Sequence, residues 1–267
     1  MKFMKNLVNP SNKSFEFFKR SWNPCVLGAM KYLLKHPLTG PLAIWRRLRY
    51  PILKRNVTKP FITPEGFRVE TNKELLTWAQ MFIEKNLYSP HLMLELTGVT
   101  SATIVDVGAN HGMATAYFGS FNNTNNFICI EPYEIFLNKG IENTRHLRTQ
   151  WINAAASSER GSIAFYRGGL TSCKRPALIE EELKVDSITL DDLQTDIFLL
   201  KIDTDGHSNE VLSGAVNVLR RTRHVIIEEE DGLDLARWFP TSEWSSRKLP
   251  SGCDMLFTNL KVPIPRH

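Results

Sequence analysis

From about residue 101 the chain alternates short apolar runs with stretches of helical spacing. TIVDVG is an apolar run that ends in a glycine turn, and MATAYFGSF follows as a short helix. NFICIE predicts a second strand, and PYEIFLNKGIENTR a second helix with Pro132 at its first position, where a missing N–H costs nothing. TQWINAA predicts a third strand; SIAFYRG and residues 185–193 predict a hairpin or lid insertion. IFLLKID is a fourth, central strand, and HVIIEEE a fifth. Between them SNEVLSGAVNVLRR predicts one amphipathic helix with Val211, Leu212, Ala215, Val218 and Leu219 on one face. Apolar strands joined by helices imply a mostly parallel sheet covered on both faces, a Rossmann-like α/β fold. Ligands of such sheets bind at the carboxyl ends of the strands. Upstream, residues 61–100 predict a short strand pair followed by a helix over ELLTWAQMFIEKNL.

The 267 residues suffice for one large α/β domain and an extension. The boundaries expected are a basic, aromatic N-terminal extension over 1–60 and a Rossmann-like domain over 61–267, with core motifs at 101–230. Charge sharpens that division. Residues 1–60 hold 13 Lys and Arg against one acid, Glu16, a balance of +12; the remainder holds 20 bases and 27 acids, a balance of −7. The overall basic character is therefore that of the extension, and it does not argue for nucleic acid across the whole chain. In the extension Phe15, Phe17, Phe18, Trp22 and Tyr32 alternate with Lys19, Arg20 and Lys31. Bases mixed with large apolar residues suit an anionic membrane surface, or else pack on the domain. The apolar stretch 22–34 is interrupted by Asn23, Pro24 and Lys31 and is too short to span a bilayer. No signal peptide is evident. Cys25, Cys129, Cys173 and Cys253 form no CxxC pair, which suits a reducing compartment. The expected setting is cytoplasmic, peripheral on a membrane.

The first strand ends in IVDVGANHG, where Gly108 lets the backbone turn tightly and approach a ligand. Glu131 ends the second strand, 23 positions after Gly108, and an acid there can accept from both hydroxyls of a ribose. The three-glycine signature of a pyrophosphate site is missing. Asp106 instead precedes the turn, and an acid there suits a cationic ligand such as S-adenosylmethionine. The third strand ends in Asn153, Ala154 and Ala155, a turn that could flank an adenine.

The blocks IVDVGANHG, IEPYEIFLNKGIEN, INAAASSERGSIAFY, VDSITLDDL, LLKIDTDGHSNEVLSGA and VIIEE run in this order over about residues 85–230. In them the chain resembles the FkbM-type family of S-adenosylmethionine-dependent methyltransferases. The resemblance implies a class I methyltransferase fold and methyl transfer, usually to oxygen, with acceptors from glycan, lipid-linked sugar or secondary-metabolite pathways. It places Asp106, Gly108, Asn110 and Gly112 at the methionine end of the cofactor, Glu131 on the ribose, and Asn153 and Ala154 by the adenine. The chain departs from the family where a Glu is common and Ser208 stands, after His207; Glu210 matches a second acid of the pattern.

An alcohol acceptor must lose a proton, so a base is needed. Asp203, Asp205 and His207, at the end of the fourth strand, are the candidates. The run Glu229, Glu230, Asp231 reads as a solvated loop, with Glu228 facing the cleft. Asp203, Asp205 and Glu228 could together hold a divalent cation, but nothing in the sequence demands one and no metal is expected. Two other functions stay open: an RNA methyltransferase that grips phosphate with the basic segment, and a non-catalytic, membrane-associated binding protein that keeps the fold.

Overall fold

The computed structural model describes residues 61–62, 68–69, 90–168, 171–173, 181–249 and 254–264. The extension 1–60 and the helix expected over 74–87 lie outside the described residues. The strand pair expected upstream is present: β1 (Phe61–Ile62) runs antiparallel to β2 (Arg68–Val69). The first described helix is α1 (Pro90–Gly98).

Five apolar runs then form parallel strands: β3 (Thr103–Val107), β4 (Asn126–Ile130), β5 (Arg148–Ile152), β10 (Ile197–Ile202) and β11 (Thr222–Glu228). Two more, β12 (Trp244–Lys248) and β13 (Asp254–Asn259), complete a seven-stranded sheet in the order β12-β13-β11-β10-β3-β4-β5. β13 is antiparallel to both β11 and β12. The hydrophobic pattern does not predict this final pair. β12 is an edge strand, exposed at all positions after Trp244, so it carries no apolar run.

β3 and β10 are adjacent although far apart in sequence. Chain order runs one way from β3 through β4 to β5, and the other way from β10 to β11. This reversal opens a crevice at the carboxyl ends of β3 and β10.

Helices cover both faces. On one, Glu95 of α1 meets His224 of β11, and Thr115 of α2 (Met113–Gly119) meets Asp106 of β3. Gly140 of α3 (Glu134–Thr144) packs beside Trp151 of β5, where a Cβ would lie 2.0 Å from the ring. On the other face Val211, Leu212, Ala215, Val218 and Leu219 form one core with Val105, Leu200 and Val225.

Three expectations change in detail. The helix over 208–221 is two helices, α4 (Ser208–Ser213) and α5 (Val216–Leu219). The break follows from Gly214, whose bare Cα faces the Ser157 carbonyl so closely that a Cβ would lie 2.0 Å from it. It also lets Asp191 accept from the amides of Asn217 and Val218 at the start of α5. Pro132 is not at the first turn of α3, which begins at Glu134 with Tyr133 as its N-cap. The Tyr133 amide is instead held by Glu131. The third strand divides as well: β5 ends at Ile152, and β6 (Ala155–Ala156) joins a second sheet. That sheet contains the expected hairpin, β7 (Gly161–Gly168) against β9 (Glu181–Ile188), with β8 (Thr171–Cys173) outside it, in the order β6-β9-β7-β8. Residues 169–170 and 174–180, between the strands of this hairpin, lie outside the described residues. No helix among the described residues is long and apolar enough to cross a membrane.

Candidate active site

A cleft lies at the ends of β3, β4 and β10. Gly108 forms its floor. Its φ is 73°, and a Cβ there would lie 1.9 Å from the carbonyl oxygen of Asp203. Only glycine allows the two strand ends to approach so closely. The amides of Gly108 and Ala109 both donate to the Ile130 carbonyl, and the amide of Asp203 to that of Val107. Three strand ends are thereby tied into one rigid rim.

Glu131 stands across the floor, 2% exposed. One carboxylate oxygen accepts the Asn110 amide and the other the Tyr133 amide, each at 2.9 Å. Two acceptor oxygens offer about four lone-pair sites, so the carboxylate keeps capacity for two further donors. Burial pushes its pKa up to about 7, against the pull of the two amides; Asp106 and Asp205 push the same way. Asn153 braces this wall, its side-chain amide donating to the carbonyls of Glu131 and Pro132. Ala154, Ala155 and Ala156 continue it with small apolar side chains.

Asp106 and Gly112 are away from the cleft lining. Asp106 lies beneath the floor, 1% exposed, accepting from the Thr115 hydroxyl with Lys201 Nζ 3.8 Å away. Burial raises its pKa and Lys201 opposes that. Gly112, with φ of 73°, precedes α2 and packs against Thr144, Trp151 and Gly140. Its lack of a side chain serves helix packing.

Lys201 is a site residue that the sequence reading missed. It is 3% exposed and its Nζ donates to Asp203 at 2.8 Å. The signal was a lysine inside the apolar strand IFLLKID, since a buried ammonium needs a partner. Its bond holds the Asp203 carboxylate, half-buried, at the cleft.

The loop after β10 turns through Asp205, φ 47°, and Gly206, φ 94°. His207 then enters the cleft wall, 3% exposed. It stands at the N-cap of α4 without a capping side-chain bond. Glu230 satisfies that helix end: it accepts from the Ser208 hydroxyl at 2.8 Å and more weakly from the Ser208 amide. Glu230 is thus a structural acceptor, not part of a solvated loop. Glu229 is exposed and pairs with Lys248. Asp203, Asp205 and Glu228 bring carboxylate oxygens within 4.8 Å of one another. Of these, Asp203 and Asp205 line the cleft together with Glu131, and an acidic lining suits a cationic ligand.

These residues fit S-adenosylmethionine. A buried carboxylate with spare acceptor capacity suits a ribose, a wall of alanines suits a flat apolar base, and acids near the floor suit a sulfonium and an ammonium. The strand order, the crevice and the acid at the end of β4 define a class I, Rossmann-like methyltransferase. The chain belongs to the FkbM methyltransferase family, whose domain model matches residues 106–244, and its cofactor is S-adenosylmethionine. No curated protein matches the sequence. Solved structures resemble it distantly. TrmK from M. capricolum, in complex with S-adenosylhomocysteine, is 15% identical over 66% of this chain and 70% of that one, with a TM-score of 0.40. The METTL16 methyltransferase domain is 12% identical over 84% and 94%, with a TM-score of 0.44. Precorrin-6y C5,15-methyltransferase from Geobacter metallireducens is 11% identical over 64% and 86%, with a TM-score of 0.40. These likenesses concern the fold alone.

Proposed function

We propose that the chain is an O-methyltransferase acting on a hydroxyl of a glycan, a lipid-linked sugar or a secondary metabolite. The observation that carries this reading is an imidazole, His207, set into the wall of the cleft that Asp203, Asp205 and the alanines of β6 also line. A base at this point serves an acceptor that must lose a proton. S-adenosylmethionine supplies a methyl group made electrophilic by its sulfonium. Glu131 accepts from the ribose hydroxyls, Asn153 and Ala154 shape the adenine side, and Asn110 and Gly108 line the path between them. Asp106 acts from below the floor, keeping Lys201 in place. Lys201 in turn orients Asp203 toward the methionine end. His207 would take the proton of an acceptor hydroxyl.

Residues 1–60 are the proposed contact with an anionic membrane surface, supported by their balance of +12 against −7 for the rest. Scattered single cysteines, of which Cys129 is free and buried, support a cytoplasmic setting.

The test is incubation of the protein with methyl-labelled S-adenosylmethionine and an extract of cells that lack it. Label in an alkali-stable ether of a small molecule or glycan is expected. Label confined to RNA, or in an alkali-labile ester, would contradict the reading.

A further inference from the structure

A second cavity lies at the opposite end of the seven-stranded sheet from the cofactor cleft. It is bounded by the segments that enter β3, β10 and β11 and by the chain that leaves β13. Arg221 and Arg223, two residues apart at the start of β11, give it two half-buried guanidinium groups. Thr103 and Thr195 give it two hydroxyls, 3.4 Å from each other. Lys261 also lines it, but is exposed and pairs with Glu243. Among the described lining residues Asp196 is the only acid, and it is exposed.

Backbone carbonyls pin both guanidinium groups. Nη1 of Arg223 donates to the carbonyls of Asn259 and Val262, each at 2.6 Å. Nη2 of Arg221 donates to the Leu193 carbonyl at 3.4 Å. Among the described residues neither arginine forms an ion pair with a carboxylate. A carbonyl fixes orientation but carries no net charge, so both positive charges stay uncompensated. The Nε of Arg223 is buried and has no acceptor. In a guanidinium, Nε and Nη2 form the edge that grips an oxyanion side-on. With Nη1 committed to the chain, that edge of Arg223 is the one left for a ligand. A buried donor without an acceptor costs free energy, and a bound oxygen would recover it.

We infer that this cavity binds a phosphate group, either as the free ion or as the phosphomonoester of a sugar or lipid headgroup. A tetrahedral oxyanion fits better than a carboxylate, because two guanidinium forks and two hydroxyls offer more donors than two oxygens in one plane can use. The inference goes beyond methyl transfer and does not rest on it. None of these residues lines the cofactor cleft, so the two sites stand or fall separately.

The experiment is calorimetry of inorganic phosphate against the full-length protein saturated with S-adenosylhomocysteine, at pH 7.5 and low salt, with acetate as the carboxylate comparison. Phosphate is expected to bind with a dissociation constant below about 1 mM, and at least about tenfold more tightly than acetate. Arg221→Gln should weaken phosphate binding by about tenfold or more, as for loss of one charge-assisted partner, with the affinity for S-adenosylhomocysteine unchanged. Arg223→Gln strips the donor from two carbonyls and can cost folding, so Arg221→Gln carries the test. Flotation with phosphatidylcholine vesicles containing phosphatidic acid separates the sources of the phosphate. Weaker flotation of Arg221→Gln than of the parent assigns a lipid headgroup; equal flotation, with phosphate still bound by the parent, assigns a soluble phosphate. No phosphate binding at about 10 mM, acetate binding as tightly as phosphate, or equal phosphate affinity in the parent and in Arg221→Gln overturns the inference.

Discussion

Glu131, as the proposed ribose acceptor, should couple cofactor binding to pH. Its carboxyl titrates near 7 in the folded chain against an ordinary 4.5, chiefly because it is buried. At 1.36 kcal/mol per pH unit the difference amounts to about 3 kcal/mol. The sign follows from a raised folded value: this group's contribution to stability is whole below pH 4.5 and is lost as pH rises through 7. On the proposed ribose role cofactor binding should run the other way, because ribose hydroxyls would donate to the ionised carboxylate. Near pH 7 about half of the free protein carries the proton, so binding should release about 0.5 proton. Below pH 7 the affinity should fall by up to tenfold per unit. Calorimetry with S-adenosylhomocysteine in buffers of different protonation enthalpy measures the release directly. Glu131→Gln should abolish it and weaken binding by about 1.5–3 kcal/mol, the size of a charge-assisted hydrogen bond. Equal proton release in the parent and in Glu131→Gln, or a dissociation constant flat from pH 5 to 8, would refute the reasoning.

Four further outcomes are expected. Gly108→Ala sets a Cβ 1.9 Å from the Asp203 carbonyl at a φ of 73° and should cost at least about 3 kcal/mol in urea unfolding; a cost below about 1 kcal/mol would show that the strand ends can separate. Asp191→Ala removes the cap of α5 and should cost about 1–2 kcal/mol by the same assay, with cofactor affinity unchanged. His207→Ala should lower turnover on an identified acceptor by about 100- to 10,000-fold while cofactor affinity holds; turnover within about threefold would leave Asp203 or Asp205 as the base. Removal of residues 1–60 should leave a cofactor-binding protein that floats less with anionic vesicles; equal flotation would place the membrane contact elsewhere.

Most of the parallel sheet was legible because buried strands of a covered sheet are largely apolar, and TIVDV, NFICI, IFLLKI and HVII announce themselves. β5, RTQWI, has no buried position and carries a weaker signal. β12 escaped because an exposed edge strand has no apolar pattern to show. Glu131 was legible from its distance to Gly108 and its place at a strand end. Asp205 and Glu228 were named as neighbours of Asp203, and the structure brings all three together.

What the sequence determined by itself is the run of parallel strands, the family and the place of Glu131 at the end of β4, because each rests on local periodicity or on spacing within one βα unit. What only the tertiary structure decided is which of these groups face the cleft. Asp106 went beneath the floor because alternation along β3 turns it toward Thr115 and Lys201. Gly112 went to helix packing because Gly140 and Trp151 close on it from α3 and β5. Ser157 reached His207 from 50 residues away because β6 leaves the main sheet and the Gly214 break lets its carbonyl lie against α4. Such contacts depend on the approach of distant segments, and local pattern does not encode that approach.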